Sequence, residues 1–132
     1  MEHIGVIIVD HGSKRDAANS MLECVAGAYK HVTGAPIVEY AHMELAAPGI
    51  PDAFARCVAQ GARHVVVALF FLSPGRHSMR DIPAMAAEAA AAHPGVTFSV
   101  TAPMGADLRL AEIMHDRVSE ALRDANVPAS PA

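Results

Sequence analysis

The chain has 132 residues, of which 52% are hydrophobic and 18% charged, and 10 Lys and Arg against 14 Asp and Glu give a formal net charge of -4. One domain of this size buries roughly two thirds of its unfolded surface, and the composition is too apolar for disorder and too punctuated by Gly and Pro for a fibre. The acidic balance excludes a globally basic surface, so no nucleic-acid partner is expected and any anion site must be local.

Met1, Glu2 and His3 precede a six-residue apolar run stopped by Asp10, which is too short for a signal-peptide core. Ile4 to Val9 is β-branched and almost wholly apolar, the pattern of a strand covered on both faces, and His11-Gly12-Ser13 ends it. Ala18, Met21, Leu22, Val25 and Tyr29 form a helical stripe running from Asp16 to Thr33-Gly34. A shorter strand spans Pro36 to Tyr40, and Pro48-Gly49-Ile50-Pro51-Asp52 opens a second helix that Gly61 closes. The third strand runs from His64 to Phe71. The longest uncharged apolar run of the chain, Val65 to Leu72, falls well short of the ~20 residues a membrane span needs. After the loop from Leu72 to Met79, Asp81 and Pro83 start an alanine-rich helix stopped by His93-Pro94-Gly95. Val96 to Thr101 forms the fourth strand, and Asp107 to Arg123 the last helix.

Four βα units of about 33 residues predict a small α/β domain over residues 1–125, with a four-stranded parallel sheet flanked by helices on both faces. Residues 126–132 are expected to form a disordered tail.

Ligands of such sheets bind outside the carboxyl ends of the strands. The first three loops there carry His11, Glu44 and His77, spaced 33 residues apart in each step. Two imidazoles and a carboxylate at one edge form a candidate divalent-metal set with positions left open for substrate. A single histidine is more commonly a surface or capping residue, and the shared edge is what lifts these two above that reading. His3, His31, His64, His93 and His115 fall at strand starts or on helices and read as structural or solvated, whereas His42, two residues before Glu44, is a candidate substrate contact. Lys14 and Arg15 follow His11, and Arg76 and Arg80 flank His77. Residues 11–15 and 76–80 thus hold four cations and no acidic side chain, which suits a polycarboxylate or phosphate, although each cation alone would pass for solvated surface charge. Met21, Met85 and Met114 read as core filler. Cys24 and Cys57 read as buried small hydrophobes in a reducing compartment.

Three segments together are more specific than any histidine alone. Gly5-Val-Ile-Ile-Val-Asp-His-Gly-Ser13, Ala41-His-Met-Glu-Leu-Ala46 with Pro48, and Phe70-Phe-Leu-Ser-Pro-Gly-Arg-His77 with Asp81-Ile-Pro83 resemble the small sirohydrochlorin chelatases of the class II group. Their wording is nearest to the plant and algal members that insert ferrous iron. The resemblance runs from about Gly5 to Arg117. It implies a homodimer in place of the two lobes of longer relatives, and insertion of a divalent metal, Fe2+ or alternatively Co2+ or Ni2+, into a carboxylate-rich tetrapyrrole.

In that reading His11, His77 and Glu44 hold the metal and carry catalysis, while Ser13, Lys14, Arg15, His42, Arg76, Ser78 and Arg80 bind sirohydrochlorin. The metal is a substrate and no cofactor is permanently bound. The cysteine-rich iron-sulfur segment of higher-plant members has no counterpart in this tail, so no cluster is expected. A plant or algal source would place the protein in the chloroplast stroma after loss of a presequence, any other source in the cytoplasm. Two other classes remain open. One is a phosphoryl-transfer domain, which usually has arginine where Asp10 precedes His11. The other is a metal-binding module that uses His11, His77 and Glu44 without catalysis.

Overall fold

Strands and helices alternate strictly: β1 (Ile4–Asp10), α1 (Asp16–Thr33), β2 (Ile37–His42), α2 (Ile50–Ala59), β3 (His64–Leu69), α3 (Ser78–Ala91), β4 (Thr97–Val100) and α4 (Leu108–Asp124). The structure is a computed structural model that describes residues 2–73, 75 and 78–128, with Ser78 described by its backbone alone. The four strands form one sheet in the order β2-β1-β3-β4, and every neighbouring pair is parallel. The expected α/β architecture is therefore the observed one. β1 lies inside the sheet with Gly5 to Val9 buried, which is why its sequence shows no polar alternation.

The larger core lies between the sheet and the pair α2 and α3, where Ile7, Val9, Val65 and Val67 meet Ile50, Phe54, Cys57 and Ile82. α2 approaches β1 so closely that a Cβ at Gly5 would stand 2.9 Å from both Cβ and Sγ of Cys57. Glycine at that position is thus a packing requirement. Across the sheet, Leu22 and Ala26 of α1 cover Val6 and Ile8, with Ala68 and Phe70 packed at the margin of the cluster, and α1 packs chiefly on β2 and β1. Among the described residues no helix packs extensively on that face of β3 and β4. There His64 bonds Thr97 Oγ1 at 2.6 Å and Ser99 Oγ at 2.9 Å.

Helix ends follow local chemistry. Gly34 closes α1 in the left-handed region at φ 71° and donates its N–H to Lys30 O. Asp52 accepts a bond from the N–H of Gly49 ahead of α2, and Asp107 caps α4 by accepting from the N–H of Arg109. The Arg109 guanidinium also grips the Asp107 carboxylate through Nε and Nη2, holding that carboxyl well below its ordinary range.

Several boundaries differ from expectation. β2 runs on through His42 because its last residues pair with β1 up to Asp10. α3 begins at Ser78 with Pro83 inside it, although proline more often marks the first helical position. Cys57 is buried as expected, and burial pushes its thiol up to about 12, but Cys24 is exposed on the solvent side of α1. Of the expected core methionines, Met85 packs against the larger core while Met21 and Met114 are exposed. Asn126 and Val127 are bonded back to Arg123 O and Leu122 O, and residues 129–132 of the expected tail lie outside the described residues.

The last helix is the anomaly of the fold. Among the described residues α4 packs extensively against no other element, and none of its residues is buried. Yet Leu110, Ile113, Met114, Val118 and Leu122 recur at the three- and four-residue spacing of an apolar stripe, with Met114 63% and Val118 50% exposed.

Candidate functional site

All four strands end at the same edge. The chain order reverses between β1 and β3, making that crevice the topological switch point at which open α/β sheets bind ligands. His11 leaves β1 at this point. The β1–β2 ladder continues past the strands: Met43 N donates to Asp10 O at 2.9 Å and Glu44 N to His11 O at 3.1 Å. Glu44 is thereby carried alongside His11, and His11 Nε2 stands 3.2 Å from Glu44 Oε1 with the two side chains 55% and 53% exposed. An accessible imidazole and an accessible carboxylate are both ligands that borderline divalent metals accept.

The backbone beneath this pair is tightly constrained. Gly12 has φ +95°, and a Cβ there would fall 1.8 Å from the carbonyl oxygen of Glu44. Leu45 adopts φ 71°, a left-handed conformation that costs a non-glycine residue energy and clusters at functional sites.

His42, the candidate substrate contact, is almost fully buried. Its side chain is 1% exposed, and Nδ1 lies 2.7 Å from Asp10 Oδ1, the carboxylate of the residue just before His11. Locally, Asp10 reads as the residue that stops an apolar run and precedes His11. Its register opposite His42 in the β1–β2 ladder, 32 residues away, is what reveals the pair.

The third ligand loop leaves β3 beside β1, with Phe70 N bonded to Val9 O and the segment tied to the fourth loop through Met104 N to Phe71 O and Gly105 N to Leu72 O. Arg76 and His77 lie outside the described residues, as does the side chain of Ser78. The structure therefore brings together two of the three expected metal ligands, and no group of three His, Cys, Asp or Glu suited to a metal occurs among the described residues. Lys14, Arg15 and Arg80 are exposed near this edge, Arg80 in the first turn of α3. Ser13 is engaged locally: its Oγ accepts from Arg15 N, and its backbone exchanges two bonds with the Asn19 side chain. A cavity of about 450 Å³ opens on the α1 side, with Lys14, Tyr40 and His42 in its wall.

A parallel α/β sheet that offers an accessible histidine and carboxylate at its switch point is of the ligand-binding α/β class, with side chains chemically suited to a divalent metal. The pattern of the CbiX family matches residues 5–121, and the chain belongs to that family. It is 52% identical over 118 residues to the chloroplastic sirohydrochlorin ferrochelatase of Arabidopsis thaliana, covering 89% of this chain and 52% of that protein. The sirohydrochlorin cobaltochelatase of Methanothermobacter thermautotrophicus is 31% identical, with 90% and 93% covered. Among solved structures, the cobalt complex of the sirohydrochlorin chelatase SirB from Bacillus subtilis subspecies spizizenii superposes with a TM-score of 0.81 at 30% identity, covering 89% of this chain and 50% of that one. The chain thus spans about half the length of the plant and Bacillus proteins and nearly all of the archaeal one. No helix among the described residues is long and apolar enough to cross a membrane.

Proposed function

We propose that the protein is a sirohydrochlorin ferrochelatase, which inserts Fe2+ into sirohydrochlorin and releases two protons to form sirohaem. The observation that carries this reading is the exposed His11–Glu44 pair at the switch point of a chain so similar to a plant ferrochelatase. His11, Glu44 and His77 hold the incoming metal. The carboxylates of the macrocycle lie on Lys14, Arg15, Arg76 and Arg80, with Ser13 and Ser78 as hydroxyl contacts. Pyrrole N–H groups are weak acids, so the metal and a neutral base at the site together draw off the two protons. Holding both reactants face to face supplies much of the remaining acceleration. A relative in Arabidopsis that is chloroplastic supports a stromal location for a plant or algal source.

Mixing the purified protein with sirohydrochlorin and each of Fe2+, Co2+ and Ni2+, and following the visible spectrum, tests the reading. Insertion of Fe2+ at well above the uncatalysed rate is the expected result. Preference for Co2+ or Ni2+ would move the assignment to a cobalt or nickel chelatase, and metal binding without insertion would leave a metal-binding module.

The proposed assembly is a homodimer. Its support is the exposed stripe of α4, the face of β3 and β4 on which no described helix packs extensively, and the double length of the Bacillus relative. A second copy buries both surfaces and closes the cleft over a flat macrocycle that one small sheet leaves half uncovered. Met114→Asp with Val118→Asp is expected to convert a dimer into a monomer in analytical ultracentrifugation and to lower insertion activity. A wild-type protein that is monomeric and active would overturn the assembly.

A further inference from the structure

We propose that Asp10 and His42 act as a positioning pair that sets the distance between the His11 and Glu44 ligands, a role that rests on the chelatase reading above. Each member lies at the base of one ligand-bearing loop: Asp10 directly precedes His11, and His42 stands two residues before Glu44. They face each other in register across the β1–β2 ladder, joined by the 2.7 Å contact between His42 Nδ1 and Asp10 Oδ1. Paired through Nδ1 with a carboxylate oxygen, the His42 ring is held in one orientation. The backbone N–H of His42 is also bonded to Pro48 O at 2.8 Å, closing the loop that carries Glu44 at its root.

Packing alone does not call for such a pair. Apolar residues of similar volume often stabilise an interior as well as a buried ionic contact or better. His42 is nevertheless the sole polar or charged side chain among the buried described residues, and Asp10 is itself only 19% exposed. Groups that hydrogen-bond behind metal ligands orient them, and their loss typically weakens metal affinity or activity by about 10–100-fold. Here the bond acts one step further back, locking the two loop roots together instead of touching the ligands.

The test compares Asp10→Ala, His42→Leu and His42→Asn with wild type, using Co2+ titration followed by d–d absorption and steady-state insertion kinetics. His42→Asn keeps a side-chain N–H near the place of Nδ1. Asp10→Ala and His42→Leu are expected to weaken Co2+ binding by about 10–100-fold and alter its spectrum, and to lower kcat with KM for sirohydrochlorin nearly unchanged. His42→Asn is expected to recover most of the loss. The isosteric Asp10→Asn, checked by circular dichroism, replaces Asp10→Ala if the latter fails to fold, and is expected to show a smaller loss in the same direction.

Wild-type Co2+ affinity and spectrum in folded Asp10→Ala and His42→Leu would overturn the proposal. So would intact Co2+ binding with a raised KM in both His42 variants, which would assign His42 a direct contact with the macrocycle. If wild type inserts no metal while Co2+ binding still depends on Asp10 and His42, the chelatase reading fails and the positioning pair stands.

Discussion

Replacing His11 and His77 together by alanine is expected to reduce metal insertion to the uncatalysed rate, with the unfolding temperature unchanged to within about 2–3 °C. The small thermal effect follows from position: His11 is more than half exposed, and Glu44, its side-chain partner among the described residues, is equally open to water. Exposed pairs of this kind contribute little to stability. The large kinetic effect follows from the work the ligands do. A metal that is not held at the switch point must find the macrocycle by collision, and preorganising two reactants is worth roughly 7–11 kcal/mol of barrier. The single variants are expected to fall nearly as far as the double, because ligands of one ion act as a unit. Glu44→Gln, which keeps an oxygen but loses the charge, is expected to retain more activity than either histidine variant. Stopped-flow spectrophotometry under anaerobic conditions measures all four, and full activity in the double variant would sink the site assignment.

What could be read from the sequence was whatever depends on local pattern. The β-branched run of β1, the stripe of α1 and the glycines and prolines between elements place every strand and helix within a few residues. The meeting of His11 and Glu44 at one edge follows from βα periodicity together with parallel pairing, while His77, expected there on the same grounds, lies outside the described residues. The solvent-facing position of Cys24 was also within reach: it is two residues from both Leu22 and Ala26, on the opposite side of the helix from the buried stripe.

The remaining features depend on residues far apart in the chain. Nothing local to Ala41-His42 continues a β-branched strand, and only the ladder to Asp10 extends β2 and creates the buried pair. The stripe of α4 reads as core-facing in any helical projection. Whether a face finds cover depends on the tertiary path, and among the described residues α4 packs extensively against no other element.

Gly12→Ala is expected to cost both stability and nearly all activity. At φ +95° an alanine is strained by an amount of order 1–3 kcal/mol before any contact is considered. Its Cβ would then lie 1.8 Å from Glu44 O and 3.1 Å from His42 Cβ, far inside van der Waals contact, so the Glu44 backbone must move away. That movement breaks the bond from Glu44 N to His11 O and separates the two ligand loops. A misplacement near 1 Å typically costs about 10²-fold in rate. Gly34→Ala separates strain from displacement. Gly34 also has positive φ, at +71°, but a Cβ there meets nothing within 4 Å and the residue ends α1 at the opposite end from Asp16. Both variants are expected to lower the midpoint of urea unfolding, while only Gly12→Ala loses insertion activity and Co2+ affinity. Equal retention of activity in the two would mean that the close approach of the His11 and Glu44 loops is unnecessary for catalysis.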